Sequence, residues 1–199
     1  SRISPDYNSM YYIELHPPGV SHALRKLKQN NTTISLGGII SSLMSGKLPR
    51  IIKLKDLSEA EVARVALEAA AVLKAGGTVI YPTETVYGIG VVATNPEAVK
   101  KVLNYKSRRE GKPLSIAVTD QSMAAQFVEI NEQARVLYER FLPGPMTVIS
   151  KDLGVVAPGV ASEFGTLGIR MPAHPLIMKM VELVQQPVTA TSANGSGEK

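Results

Sequence analysis

Thr78-Val79-Ile80-Tyr81-Pro82-Thr83-Glu84-Thr85-Val86-Tyr87-Gly88-Ile89-Gly90 is the stretch from which an α/β sheet can first be read. Its opening four residues, entered from Gly76-Gly77, are apolar or β-branched and predict a buried strand. Pro82, two threonines, Glu84 and two glycines then end that strand in a polar, tightly turned mouth. Open α/β sheets bind their ligands at such carboxyl ends of strands. Hydroxyls and backbone amides gathered there suit a small polar substrate better than a packing surface.

The neighbouring sequence supplies helices on both sides. Ser58 and Glu61 form an S-x-x-E capping box. Val62, Val65, Ala66, Ala69, Val72 and Leu73 then recur at helical spacing up to the stop at Gly76-Gly77. Asn95-Pro96 is an N-cap with proline at the first helical position, and Ala98, Val99, Val102 and Leu103 give that helix an apolar stripe. A strand is expected at 114–118. Asn131 caps a further helix with Val136, Leu137 and Phe141 inward, stopped by Pro143-Gly144-Pro145. Strands at 146–150, 166–170 and 188–191 and a helix at 175–185 complete the series. Strands alternating with helices predict an α/β fold, a twisted mixed sheet with helices packed on it.

Residues 1–50 read differently. His16-Pro17-Pro18-Gly19 breaks regular structure and Gln29-Asn30-Asn31-Thr32-Thr33 is loop chemistry, so this part is an N-terminal extension of unknown role, and 51–199 is the domain. The whole chain has 199 residues, a length for one domain with an appendage. It is 44% apolar and 20% charged, which supports a core. With no Trp and three Phe, that core must be mainly aliphatic. A net charge of +5 favours anionic partners such as nucleotides or RNA. Zero cysteines exclude disulfides, thiolate zinc sites and cysteine nucleophiles. No apolar run is long enough for a membrane helix, and the amino end has no signal-peptide core.

A second informative segment runs from Lys100 to Leu114, with six cations in thirteen residues. Cations at a helix C-terminus gain roughly 0.3–1 kcal/mol each from its dipole, a sufficient account of Lys100 and Lys101. Lys106, Arg108 and Lys112 fall at the loop, where they repel one another unless an anion joins them. The loop is a phosphate-site candidate, with Arg108 gripping two oxygens and Lys106 acting as a point charge. At 188–197 another apolar strand runs out into Thr191, Ser192, Asn194 and glycines, which alone would be an ordinary strand exit. Arg170 lies on the strand expected at 166–170 and needs a carboxylate partner, from the protein or from a ligand.

Several other sites are excluded. Gly111-Lys112 is followed by Pro113, so there is no P-loop. Gly88-x-Gly90-x-x-Ala93 is only a weak dinucleotide fingerprint, because the next helix starts too late. Three scattered histidines do not make a metal site, and His174 reads as a loop or capping residue. Ser192 has no nucleophile elbow.

Five marks in order resemble the Sua5/YrdC/YciO family of threonylcarbamoyl-AMP synthases. They are Pro-Thr-Glu-Thr-Val-Tyr-Gly at 82–88, Lys-x-Arg at 106–108 with Lys-Pro-Leu at 112–114, and Pro-Gly-Pro-x-Thr at 143–147. Gly-Ile-Arg-Met-Pro-x-His-Pro at 168–175 and Thr-Ser-Ala-Asn at 191–194 follow. The resemblance covers about residues 58–197. It implies a YrdC-like fold around a basic cavity and a nucleotidyltransferase activity. L-threonine, bicarbonate and ATP, with Mg²⁺, would give threonylcarbamoyl-adenylate and pyrophosphate.

By the same resemblance Lys106, Arg108 and Lys112 hold ATP phosphates with Ser192 and Asn194, and Lys106 and Arg108 carry the catalytic charge. Thr85 contacts threonine and Arg170 pairs with its carboxylate. A partner transferase complex uses the product to modify tRNA in the cytoplasm, and tRNA or double-stranded RNA stands as a further partner. No protein-held metal is implied. Family members continue past the point where this chain stops, five residues after Asn194, so the domain reads as cut short at its C-terminal end. Two other classes are an RNA-binding module without chemistry and a carbamoyl-transfer domain of a larger enzyme.

Overall fold

Residues 78–81 form the expected strand, and the helix before them starts and stops where its capping residues dictate. A computed structural model of the chain describes residues 11–16, 50–54, 58–83, 87–106 and 113–193. Helix α1 (Glu59–Lys74) begins at Ser58, whose hydroxyl accepts from the Glu61 N–H at 3.4 Å. It ends where Gly76 turns with φ +80° and the Gly77 N–H closes back on the Val72 carbonyl at 2.9 Å. Asn95 caps α2 (Pro96–Tyr105) by accepting from the Ala98 N–H at 3.1 Å. The remaining helices are α3 (Gln121–Ala124), α4 (Glu132–Phe141) and α5 (Pro175–Val184).

Nine strands are described: β1 (Tyr11–His16), β2 (Arg50–Leu54), β3 (Thr78–Tyr81), β4 (Gly88–Gly90) and β5 (Ser115–Ala117), then β6 (Val128–Glu129), β7 (Val148–Asp152), β8 (Thr166–Arg170) and β9 (Val188–Ser192). They form one mixed sheet in the order β2-β1-β3-β4-β9-β5-β8-β7-β6. Among its pairs, β5·β8 is parallel and the others are antiparallel. The α/β class and the mixed sheet are as the alternation of elements requires.

Each face of the sheet carries its own core. On one face Val79, Tyr81, Ala117 and Val188 pack against Val65 and Leu73 of α1 and against Leu176 and Met180 of α5. On the other, Ile89, Ile116, Leu167 and Ile169 pack against Val99 and Val102 of α2 and Tyr138 of α4.

Four expectations are corrected. Gly88 and Gly90 do not belong to the turn; they form β4, whose three residues are all buried. An added Cβ would meet the Tyr81 ring at 2.7 Å from Gly88 and 2.8 Å from Gly90, so these glycines make room for an aromatic ring. Helix α4 turns Ala134 and Tyr138 inward, while Val136, Leu137 and Phe141 are exposed. Burial pushes the Tyr138 phenol up to about 12, offset in part by Ser150, so this ring packs as a neutral group. Strand β7 is displaced two residues from the expected 146–150. Lys100 and Lys101 sit before the last turn of α2, which carries no cation, so the helix dipole does not account for them.

Candidate active site at the end of strand β9

Strands β3 and β9 both run antiparallel to β4, and β5 runs antiparallel to β9. The carboxyl ends of β3 and β9 and the amino ends of β4 and β5 therefore share one edge. Three segments that stand far apart in sequence meet there: the residues that leave β3 at Tyr81, the exit of β9, and the end of α2.

Lys106 is the C-cap residue of α2 and is 3% exposed. Its ammonium donates to the Ser192 carbonyl at 2.6 Å and to Ser192 Oγ at 3.1 Å. A charged donor explains the short first contact. One residue earlier, the Tyr105 hydroxyl donates to the Ala193 carbonyl at 2.8 Å. From the opposite side the Ala193 N–H donates to the Tyr87 carbonyl at 2.8 Å. The peptide that leaves β9 is thus held between α2 and the residue that opens β4. Ser192 Oγ spends a lone pair on the ammonium, and its own proton is directed elsewhere. A hydroxyl in that state is a donor for an anion.

Register extends the site across the sheet. Gly88 pairs with Ser192, Ser115 with Ala190 and Gly168, and Ala117 with Val188 and Arg170. Ser192, Ala190, Ser115, Gly168 and Arg170 consequently lie on one face, the face that α1 and α5 cover around Val188 and Ala117. Each of these five residues is half-buried. Apart from Arg170 the side chains along this row are small. An added Cβ at Gly168 would meet Ser115 Oγ and Thr147 Cγ2, both at 2.9 Å.

Lys106 and Ser192 are therefore brought together as the sequence suggests. Arg170 shares their face but not their end. It stands level with Val188, four residues from Ser192, or about 13 Å along the strands. Thr85, Arg108, Lys112 and Asn194 lie outside the described residues, although the described chain enters or leaves their segments at this edge. Sequence reasoning passed over Tyr105, Ser115 and Thr147. Tyr105 carried one available signal, a hydroxyl-bearing ring directly before the candidate lysine. Thr147 carried one as the last residue of the Pro-Gly-Pro-x-Thr mark, whereas Ser115 carried none, because only long-range register sets it beside Gly168.

The Sua5/YciO/YrdC family model, described as "Telomere recombination", matches residues 71–199. A Methanocaldococcus jannaschii protein provisionally named threonylcarbamoyl-AMP synthase is 39% identical over 150 residues, covering 75% of this chain and 70% of that protein. The threonylcarbamoyl-AMP synthase of Pyrococcus abyssi is 38% identical over 131 residues. That match takes in 65% of this chain but 38% of the relative, so the chain spans well under half the length of that protein. The crystal structure of P. abyssi Sua5 complexed with L-threonine superposes with a TM-score of 0.63 at 35% identity, over 70% of this chain and 40% of that one. E. coli YciO gives the same TM-score at 23% identity, over 68% of this chain and 66% of that one, a likeness of fold alone.

Proposed function

The chain belongs to the Sua5/YciO/YrdC family, and on that premise we propose that it makes threonylcarbamoyl-adenylate and pyrophosphate from L-threonine, bicarbonate and ATP. The observation that carries the reading is the Lys106–Ser192 pair at the strand-end mouth. It joins the Lys-x-Arg and Ser-x-Asn segments at one point, as a phosphate site built from side chains requires.

In this reading ATP enters as its Mg²⁺ complex, with its phosphates over Ser192 and the cations that follow α2. Lys106, Arg108 and Lys112 offset the phosphate charge, and Ser192 and Asn194 donate to phosphate oxygens. Threonine lies against Thr85. Its neutral amine attacks the carbon of bicarbonate, forming a C–N bond as one C–O bond breaks and water leaves, which gives the carbamate. A carbamate oxygen then attacks the α-phosphorus in line, forming an O–P bond as the bond from the α-phosphorus to the bridging oxygen breaks and pyrophosphate leaves. No side chain need act as nucleophile. Positioning and fixed charge suffice, and both act more strongly in a partly buried site than in water.

Arg170 is assigned to the threonine carboxylate, its long side chain reaching from the level of Val188 along this face toward the mouth. The product would pass to a tRNA-modifying transferase in the cytoplasm, with tRNA or another double-stranded RNA touching the basic loop. No helix among the described residues is long and apolar enough to cross a membrane.

The test is threonine-dependent pyrophosphate release from ATP and bicarbonate. Arg108→Ala is expected to slow release by roughly 10²–10³-fold, the usual cost of losing a preorganised electrostatic donor. Near-wild-type release in that variant would overturn the phosphate assignment. Salt-sensitive RNA binding with no release from the wild-type chain would instead support a module without chemistry.

A further inference from the structure

Tyr105 and Lys106 are consecutive residues at the end of α2, and they hold consecutive carbonyls at the end of β9. Lys106 Nζ takes the carbonyl of Ser192, and Tyr105 Oη takes the carbonyl of Ala193. The Tyr105 ring packs against the core on the α2 face. The Ala193 N–H is bonded to Tyr87 from the other side. Nothing in the proposed chemistry uses the Tyr105 hydroxyl, which lies 2.8 Å from a backbone oxygen.

We propose that Tyr105 is a positioning residue for the nucleotide end of the site. Its hydroxyl holds the Ala193 carbonyl, and through it the direction in which the Ser192 side chain leaves the end of β9. Two adjacent grips on adjacent peptides prevent a rotation that one grip alone would permit. Lys106 by itself could follow Ser192 as the strand end swings; the phenol, on a stiff ring packed in the core, cannot. The α2 end and the β9 end are therefore held in one register before a ligand arrives. Such preorganisation lowers the cost of binding. Its consequence for ATP rests on the synthase reading, whereas the clasp itself does not.

The test uses the full 199-residue chain as wild type, Tyr105→Phe and Tyr138→Phe. The last removes a buried hydroxyl remote from the mouth. Amide hydrogen exchange by NMR reads the clasp. In Tyr105→Phe the Ala193 N–H keeps its own bond to the Tyr87 carbonyl. It should still exchange about 2–10-fold faster, because the strand end opens more often once the Ala193 carbonyl loses the phenol, with the Ile116 amide of β5 unchanged. Tyr138→Phe should leave Ala193 unchanged. Titration calorimetry with Mg²⁺-ATP and, separately, L-threonine reads the consequence. The ATP dissociation constant should rise by a similar factor in Tyr105→Phe while that for threonine stays put. Unchanged Ala193 exchange in Tyr105→Phe overturns the proposal. So does a parallel weakening of both ligands with a lowered Tm, which is the mark of a merely structural residue. If the wild-type chain binds neither ligand, the synthase reading fails and the exchange experiment still decides the clasp.

Discussion

A buried lysine is expensive unless its ammonium has partners, and Lys106 is 3% exposed with two contacts on Ser192. Its residue type and place at the end of a helix were legible in the sequence, and they are what made Lys-x-Arg a phosphate-site candidate. Its burial was not legible, because the carbonyl it meets comes from a segment eighty-six positions away. The pair has an energetic signature. Hydrogen bonds to a charged group contribute about 1.5–3 kcal/mol, against about 0.5–1.5 kcal/mol for neutral ones. Lys106→Met should therefore lower unfolding free energy by roughly 1.5–3 kcal/mol in urea titration and abolish pyrophosphate release. Ser192→Ala leaves the shorter carbonyl contact in place and should cost under about 1 kcal/mol while still impairing release. Equal stability losses in the two variants would mean that the side-chain contact, and not the carbonyl, anchors the lysine.

Helices announced themselves through caps at Ser58, Asn95 and Asn131, each of which accepts from the third N–H beyond it. Two features did not: which face of α4 is buried, and that Gly88–Gly90 is a strand. In α4 the apolar letters Val136, Leu137 and Phe141 outnumber the buried pair Ala134 and Tyr138. Periodicity counts apolar residues, but the facing strand decides which stripe is covered. A small alanine and a long ring at i and i+4 fit over β7, and the bulkier residues turn out. In β4 a Gly-x-Gly pattern looks like a turn, because the ring that requires it belongs to the preceding strand. That requirement is testable. Gly90 has ordinary backbone angles, but a Cβ there would lie 2.6 Å from Val188 Cγ1 and 2.8 Å from the Tyr81 ring. Gly90→Ala should destabilise by about 1–3 kcal/mol, as overpacking does. A change below about 0.5 kcal/mol in chemical denaturation would show that Tyr81 can move aside. The Tyr81 hydroxyl donates to the Thr189 carbonyl at 3.1 Å, which argues that it does not.

At the scale of the molecule, the α/β class followed from the order of elements, but the extent of the sheet did not. The family match begins at residue 71, whereas the sheet continues through β3 to β1 and β2. Strand β1 comes from the extension and pairs Leu15 with Val79 and Ile13 with Ile52. Its Ile13/Leu15 alternation is a period-two signal too short to stand out beside His16-Pro17-Pro18-Gly19. The energetic consequence is large for so short a strand. Ile13 is fully buried and Leu15 is 3% exposed, both in the core shared by α1 and α5. Ile13→Ala removes buried methyl groups and leaves a cavity beneath α1, so it should cost about 2–5 kcal/mol. Loss of β1 altogether would also leave the Thr78–Ile80 edge of β3 without its partner, a template for association between chains. Urea denaturation of Ile13→Ala and light scattering of a chain lacking residues 1–16 measure the two effects. A cost under about 0.5 kcal/mol together with a monodisperse truncated chain would place the sheet's working edge at β3 and make β1 dispensable. A large cost with aggregation would make residues 11–16 part of the scaffold that holds Tyr81, Gly88 and the β9 exit in place.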